Sequence, residues 1–303
     1  MSRPRPIVPN VTYLLTRRCI ERRFLLTPDP EGAMERIFGY CLALTSAKYG
    51  ILVHASVTLG NHWHLVVTDV KGNLPAFLRD THSFIARCVN IRRRRCENVW
   101  DVRQPSAVRL ADTGAIWDKL VYCLTNAVSS GLVASHRAWP GFHTMPDAIE
   151  YLPKVYRRPP QYFASGSAAP EEAELVVTKP PALAHLSDDE YVSTLKRRIA
   201  AKESELQRKA RATHKPFLGI PAVQAQDPHS QPRTPQSRAE INPQVAASDP
   251  ATRRAHLSLL ADFRRLYAKA RAKWSEGKRT VRFPYGTYQL FHFHSVPVMA
   301  APT

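Results

Sequence analysis

Residues 51–70 read ILVHASVTLGNHWHLVVTDV, and their pattern decides the fold. Two β-favouring runs, 51–60 and 62–70, meet at Gly60-Asn61, a pair suited to a tight turn, so the chain folds back as an antiparallel hairpin. In the second run side chains alternate between faces. His62 and His64 therefore point one way and Trp63 the other. Two imidazoles on one strand face are able to hold a divalent cation. A His-X-His on a polar strand face also arises by chance, so the rest of the chain has to choose between the two readings.

Upstream, 11-VTYLLTRRCIERRFLL-26 reads as a strand or hairpin. Over 30–50, Met34, Ile37, Phe38, Cys41, Leu42 and Leu44 recur at helical spacing up to Gly50. Downstream, 73–95 predicts a second helix with Asn73 as its cap and Pro75 in its first turn. Its apolar stripe runs from Leu74 to Val89, and Arg92, Arg93, Arg94 and Arg95 follow at the end that suits cations. A further strand lies within 98–112, and a third helix spans about 113–131, from Asp112 or Thr113 to Gly131. The order β-α-β-β-α-β plus a helix predicts an α+β fold: a ferredoxin-like antiparallel sheet with helices on one face.

The texture changes after Pro159-Pro160. Residues 1–160 form the predicted catalytic domain, and 161–187, rich in Ala, Pro and Glu, a linker. Residues 188–303 form a basic, mainly helical extension, with helices near 188–211 and 250–277 and an irregular connection over 221–250. The segment 281-VRFPYGTYQLFHFH-294 predicts a terminal strand pair turning at Gly286.

Composition narrows the function. With 303 residues and 44% apolar content, a real core is within reach. Lys and Arg outnumber Asp and Glu by 43 to 25, a net charge of +18 spread along the chain. That is the footprint of a protein working against a polyanion, and nucleic acid fits better than a membrane surface, which favours one dominant basic amphipathic helix. No apolar run approaches the ~20 residues that span a bilayer, and no signal-peptide pattern opens the chain. The five cysteines (Cys19, Cys41, Cys88, Cys96, Cys123) match no disulfide or zinc framework, so reduced thiols and a cytoplasmic protein are expected.

A metal site needs a third ligand and a reacting group, and 121-VYCLTNAVSSGLV-133 offers both. Tyr122 and Asn126 stand at i and i+4 on one helix face. If that face lies over the histidine strand, Asn126 offers an amide oxygen to the ion and Tyr122 brings its phenol beside it. Tyrosine, with a free pKa of about 10, is a weak nucleophile at neutral pH. It becomes useful when a cation polarises and aligns its target phosphate. Tyr122 alone would read as a core tyrosine, and Asn126 alone as a solvent-facing amide. Tyr151 and Tyr156 lack such an i+4 partner.

NHWHLV, the helix YCLTN followed by GLV and 139-WPG-141, and the basic opening 1-MSRPRPIVPNVTYLLTRR-18 resemble the HUH single-tyrosine transposases, especially the REP-associated tyrosine transposases. The resemblance covers roughly residues 5–160. It implies a transposase-type enzyme that nicks single-stranded DNA and transfers the strand through a 5′-phosphotyrosine intermediate. His62, His64 and Asn126 would bind Mg²⁺ or Mn²⁺, and Tyr122 would attack. Two positions depart from the family pattern: Trp63 replaces a small aliphatic residue, and Ala127 stands where proline is frequent.

Single-stranded or hairpin DNA is thus the expected partner, and no membrane. Dimers are common in the family, so a homodimer is among the expected assemblies. Arg17, Arg18 and the run Arg92–Arg95 are the candidate DNA-backbone contacts. Trp100 and Trp117 could stack on bases, although packing against the sheet is the simpler role. His292 and His294 repeat the His-X-His pattern without a following nucleophile helix. Two rivals stand beside the transferase: a domesticated, inactive DNA-hairpin-binding protein, and a metallohydrolase of small substrates, which would need further carboxylates where only Asp69 is near.

Overall fold

The computed structural model of the chain describes residues 4–160, 163, 166–234 and 243–301. Residues 1–3 of the basic opening and part of the connection read over 221–250 lie outside the described residues, as do positions 161, 162, 164 and 165 of the linker.

In chain order the first half contains β1 (Val11–Arg18), α1 (Ala33–Tyr49), β2 (Ile51–Thr58), β3 (His62–Asp69), α2 (Leu74–Arg92), β4 (Ser106–Leu110), α3 (Thr113–Leu124) and a short α4 (Asn126–Ser129). Then come β5 (Lys154–Arg157), β6 (Glu172–Leu175), α5 (Asp188–Ala212), α6 (Ile220–Gln224), β7 (Val245–Ala246), α7 (Pro250–Ser275) and α8 (Gln289–His294). The main sheet runs β2-β3-β1-β4-β7, antiparallel through its first four strands. Its first four strands form the split βαβ arrangement that the sequence predicts.

Alternation along β1 and β3 divides the sheet into two working faces. Val11, Tyr13, Leu15, Trp63, Leu65 and Val67 join the core under α1 and α2. Leu14 and Val66 face the opposite core, with α3 and α5. The two crossover helices share one face as expected, and the other face carries its own helical layer. In β2 a bulge between Val53 and Ala55 shifts the register. Val53 consequently belongs to the first core and Ala55 and Val57 to the second.

Trp63 belongs to the core beneath α1 and α2. It is buried, its indole nitrogen donates to Ser56 Oγ (2.8 Å), and its ring meets Phe38 edge-on. Trp100 and Trp117 are buried as well. The first donates to the His82 carbonyl and the second stacks on Tyr191, so both are packing residues. Ala127 is buried in the α3 core.

Several expectations change. Of the two readings of 11–26 the strand holds, as β1, and a short 3-10 turn (Ile20–Arg22) follows it, with Glu21 and Arg22 at positive φ. Asn73 does not cap α2 through its side chain; the Asp69 carboxylate does, accepting from the backbone nitrogens of Asn73 (2.8 Å) and Leu74 (2.9 Å). The stretch read as a linker contains β6, which pairs with β5 and buries Ala173 and Leu175 against α1. From the stretch read as an extension, α5 buries Tyr191, Val192, Leu195 and Ile199 in the α3 core, and β7 extends the sheet. The terminal strand pair is absent among the described residues: 289–294 is helical, and Phe283 bridges Val298 instead. His292 and His294 therefore do not share a face, since two residues on a helix turn through roughly 200°. No helix of the described residues is long and apolar enough to cross a membrane.

Candidate functional site

The sheet face opposite α1 and α2 carries the chemistry. The β1–β3 register sets Thr16 against His64 and Arg18 against His62. The same pleat turns Arg17 towards the other face, beside Trp63 and over the Trp100 ring at 5.8 Å. Arg17 also donates to the Arg103 carbonyl (2.6 Å). Arg17 and Arg18 nevertheless both line the cleft beside His64 and Tyr122.

His62 and His64 stand with ring centroids 4.8 Å apart. His62 Nδ1 donates to Asn61 Oδ1 (2.7 Å), and His64 Nδ1 is hydrogen-bonded to Thr16 Oγ1 (2.8 Å). On its other side, His64 Nε2 lies 3.4 Å from the Tyr122 hydroxyl. A neighbour that engages one ring nitrogen fixes the imidazole's orientation and leaves the other nitrogen to act. Neither Thr16 nor Asn61 was singled out from sequence. Thr16 shares the strand parity of Arg18, and Asn61 adjoins the histidines, so the signal was present.

Asp112 starts α3 by accepting from the Ala115 nitrogen (2.7 Å). The helix is interrupted at Thr125, whose hydroxyl bonds back to the Val121 carbonyl (2.8 Å), and Asn126 opens the next turn. The i, i+4 relationship survives this break. The buried Asn126 side chain lies close enough to act on both partners, lowering the Tyr122 phenol and raising the His62 imidazole against the effect of burial. Tyr122 itself is 40% exposed and lines an open cleft. Lys119, one turn earlier, sits over its ring at 5.5 Å. All four predicted residues of the centre are therefore within one cluster.

The electrostatics favour neutral ligands. Burial, reinforced by Arg18 and opposed by the Asn126 hydrogen bond, pushes His62 down to about 4. Burial, His62 and Arg18 hold His64 well below the usual histidine range. Both rings therefore present lone pairs at neutral pH. Burial raises the Tyr122 phenol despite opposing effects of Asn126 and Arg18, so it is protonated at rest. Two neutral imidazoles and an amide oxygen form a donor set that fits a divalent cation, with nitrogen ligands suiting Mn²⁺ better than Mg²⁺. Among the described residues no group of three His, Cys, Asp or Glu could hold a metal, so an ion at the two histidines would need a donor of another type. Asp69 is occupied as the α2 cap.

The arginine run lies elsewhere and is largely engaged. Arg92 bonds to Glu31, Arg93 donates to the carbonyls of Leu25 (3.1 Å) and Thr27 (2.5 Å), and Arg95 approaches Glu97 at 3.7 Å. Arg94 is the exposed member, at positive φ. This run ties the end of α2 to the loop before α1. Tyr151 is exposed in a connection and Tyr156 is buried against Gly39 of α1; neither joins the histidines.

A cleft of about 630 Å³ opens beside the cluster. His64, Tyr122 and Arg18 line it together with Pro243, residues 245–248 and Arg253.

No protein-family model matches the chain, and no curated protein matches it. A solved structure described as a REP-associated tyrosine transposase bound to a REP hairpin aligns with 59% of this chain and 99% of its own. The identity is 18% and the TM-score 0.41.

Proposed function

We propose that the chain is a metal-dependent nuclease and strand transferase of single-stranded DNA, of the transposase type, acting on hairpin-forming DNA. The observation that carries this reading is the convergence of Tyr122, His62, His64 and Asn126, with the Tyr122 hydroxyl 3.4 Å from His64 Nε2 and the two imidazoles 4.8 Å apart. A weak nucleophile held against one of a pair of neutral imidazoles, in a chain of +18 charge, suits attack on a nucleic-acid phosphate.

In the proposed step Tyr122 Oη forms a bond to the scissile phosphorus and the bond from phosphorus to O3′ breaks. The phenolic proton is lost and the departing O3′ gains one, leaving a 5′-phosphotyrosine and a free 3′-OH. One phosphodiester replaces another, so a second 3′-OH can reverse the step without an external energy source. A divalent cation held by His62, His64 and Asn126, Mn²⁺ or Mg²⁺, would supply charge neutralisation at the phosphate. Thr16 and Asn61 keep the imidazoles oriented, Arg18 places positive charge beside the phenol, and the main contribution of the chain is positioning.

The reading is tested with labelled single-stranded hairpin DNA and Mn²⁺ on denaturing gels. Metal-dependent nicking that disappears in His64→Ala is the expected result. Salt-sensitive binding without nicking would instead assign the chain to the inactive hairpin-binding class. Turnover of a small substrate, indifferent to DNA, would favour the hydrolase.

A further inference from the structure

The cleft beside Tyr122 is built by two distant parts of the chain. Its floor includes Leu14 and Val108 from the sheet and Val245 from β7. Its charged lining is mainly cationic, with Arg17, Arg18, Arg103, Lys119 and Arg253 against the carboxylates of Asp101 and Asp118. Apolar floor and cationic rim are the combination that a single strand requires: base faces turned inward and phosphates turned to the cations. The volume, within the roughly 300–1,000 Å³ of small-ligand sites, admits a few nucleotides rather than a double helix.

The second wall is fastened deliberately to the first. β7 adds parallel to β4, with the Arg109 nitrogen donating to the Gln244 carbonyl (3.0 Å) and the Ala111 nitrogen to the Ala246 carbonyl (2.9 Å). One oxygen of Asp112 caps α3, and the other accepts from the Asp249 nitrogen (3.1 Å) at the start of α7. Gly114 makes the approach possible: a Cβ there would lie 2.3 Å from Ser248 Oγ. Arg253 is then held in the opening turns of α7, where the helix dipole disfavours a cation. That placement has a use if an anion lies in the cleft.

Resting on the proposed reaction, we propose that residues 243–253 complete a groove for the single-stranded flank of the hairpin, with Arg253 and Lys119 gripping its phosphates. The extension thereby takes part in substrate selection: it distinguishes a hairpin with a flank from a blunt one.

The test is fluorescence anisotropy on the full chain in EDTA, so that no cutting occurs. The probes are a blunt DNA hairpin and the same hairpin with a short oligothymidine flank. Wild type binds the flanked probe more tightly. Arg253→Glu loses about tenfold of that preference, with a shallower salt dependence, and leaves blunt-hairpin affinity unchanged. Gly114→Leu, which displaces Ser248 without touching Tyr122 or the histidines, gives the same loss. Circular dichroism establishes that each variant is folded, and a folded Arg253→Glu decides the matter if Gly114→Leu is not. Equal affinity of wild type for the two probes, or an equal loss on both in Arg253→Glu, overturns the groove. Flank-selective binding with no Tyr122 adduct in metal would sink the reaction and leave the groove standing.

Discussion

The Tyr122 hydroxyl lies 3.4 Å from His64 Nε2, joining the third helix to the central hairpin at one point. Residues 58 positions apart in sequence meet there because β3 turns its even-numbered side chains to the face that α3 covers. Burial keeps His64 neutral and the phenol protonated, so the pair rests uncharged until substrate and cation arrive.

Replacing Tyr122 by Phe removes one oxygen from a partly exposed ring. Nicking should fall by at least about a thousandfold, as expected for loss of a covalent nucleophile. Folding stability should change by less than about 1 kcal/mol, since the phenol is not an essential buried donor. Hairpin affinity in EDTA should be retained. Gel assays and denaturant titration check the three together.

Thr16 acts on the centre only through His64. Thr16→Val should weaken Mn²⁺ binding by about 10–100-fold, the usual cost of losing a partner that orients a ligand. Calorimetric titration with Mn²⁺ measures it directly, and Thr16→Ser should recover most of the affinity. Unchanged affinity in Thr16→Val would remove Thr16 from the site.

Acid should destabilise the fold earlier than carboxylate titration alone would. His54 is pushed down to about 4 and His82 to about 3, chiefly by burial. Because their folded values lie below the ordinary 6.5, the unfolded chain binds more protons between those limits. Stability is therefore full above about 6.5 and declines as pH falls towards 4, by up to about 1.4 kcal/mol per pH unit for each group. Urea unfolding at pH 7 and pH 5 should show the loss, and a folded His82→Leu should show less of it. A midpoint independent of pH across that interval would contradict the assignment.

The cap of α2 provides a purely structural contrast. Asp69→Ala leaves the Asn73 and Leu74 nitrogens without their acceptor and should cost about 2–3 kcal/mol. Asn73→Ala loses only a bond from Nδ2 to the Tyr49 carbonyl and should cost under about 1 kcal/mol. Urea titrations of the two variants decide which residue is the cap.

The fold of the first half was legible because its elements are long and periodic, and Gly50 and Gly60-Asn61 mark their ends. His62, His64, Tyr122 and Asn126 were legible for the same reason: strand parity and helical spacing are local properties. The arginine roles were not. Whether Arg93 meets DNA or the carbonyls of Leu25 and Thr27 depends on a loop nearly 70 residues away. β6 escaped because EAEL alternates correctly in Glu and Ala, residues with little preference for strands. The terminal FHFH alternates like a strand yet closes a helical turn, with the His292 nitrogen donating to the Tyr288 carbonyl (2.9 Å). Asn73 looked like a cap, but Asp69, four residues earlier and fully buried, reaches the same nitrogens with a carboxylate.

The most direct test of the central claim is peptide mass spectrometry after incubation with a flanked single-stranded hairpin and Mn²⁺. The account predicts a 5′-phosphonucleotide on the peptide carrying Tyr122, absent with EDTA and absent in Tyr122→Phe. A nicked strand with no adduct, or an adduct on another residue, would contradict it.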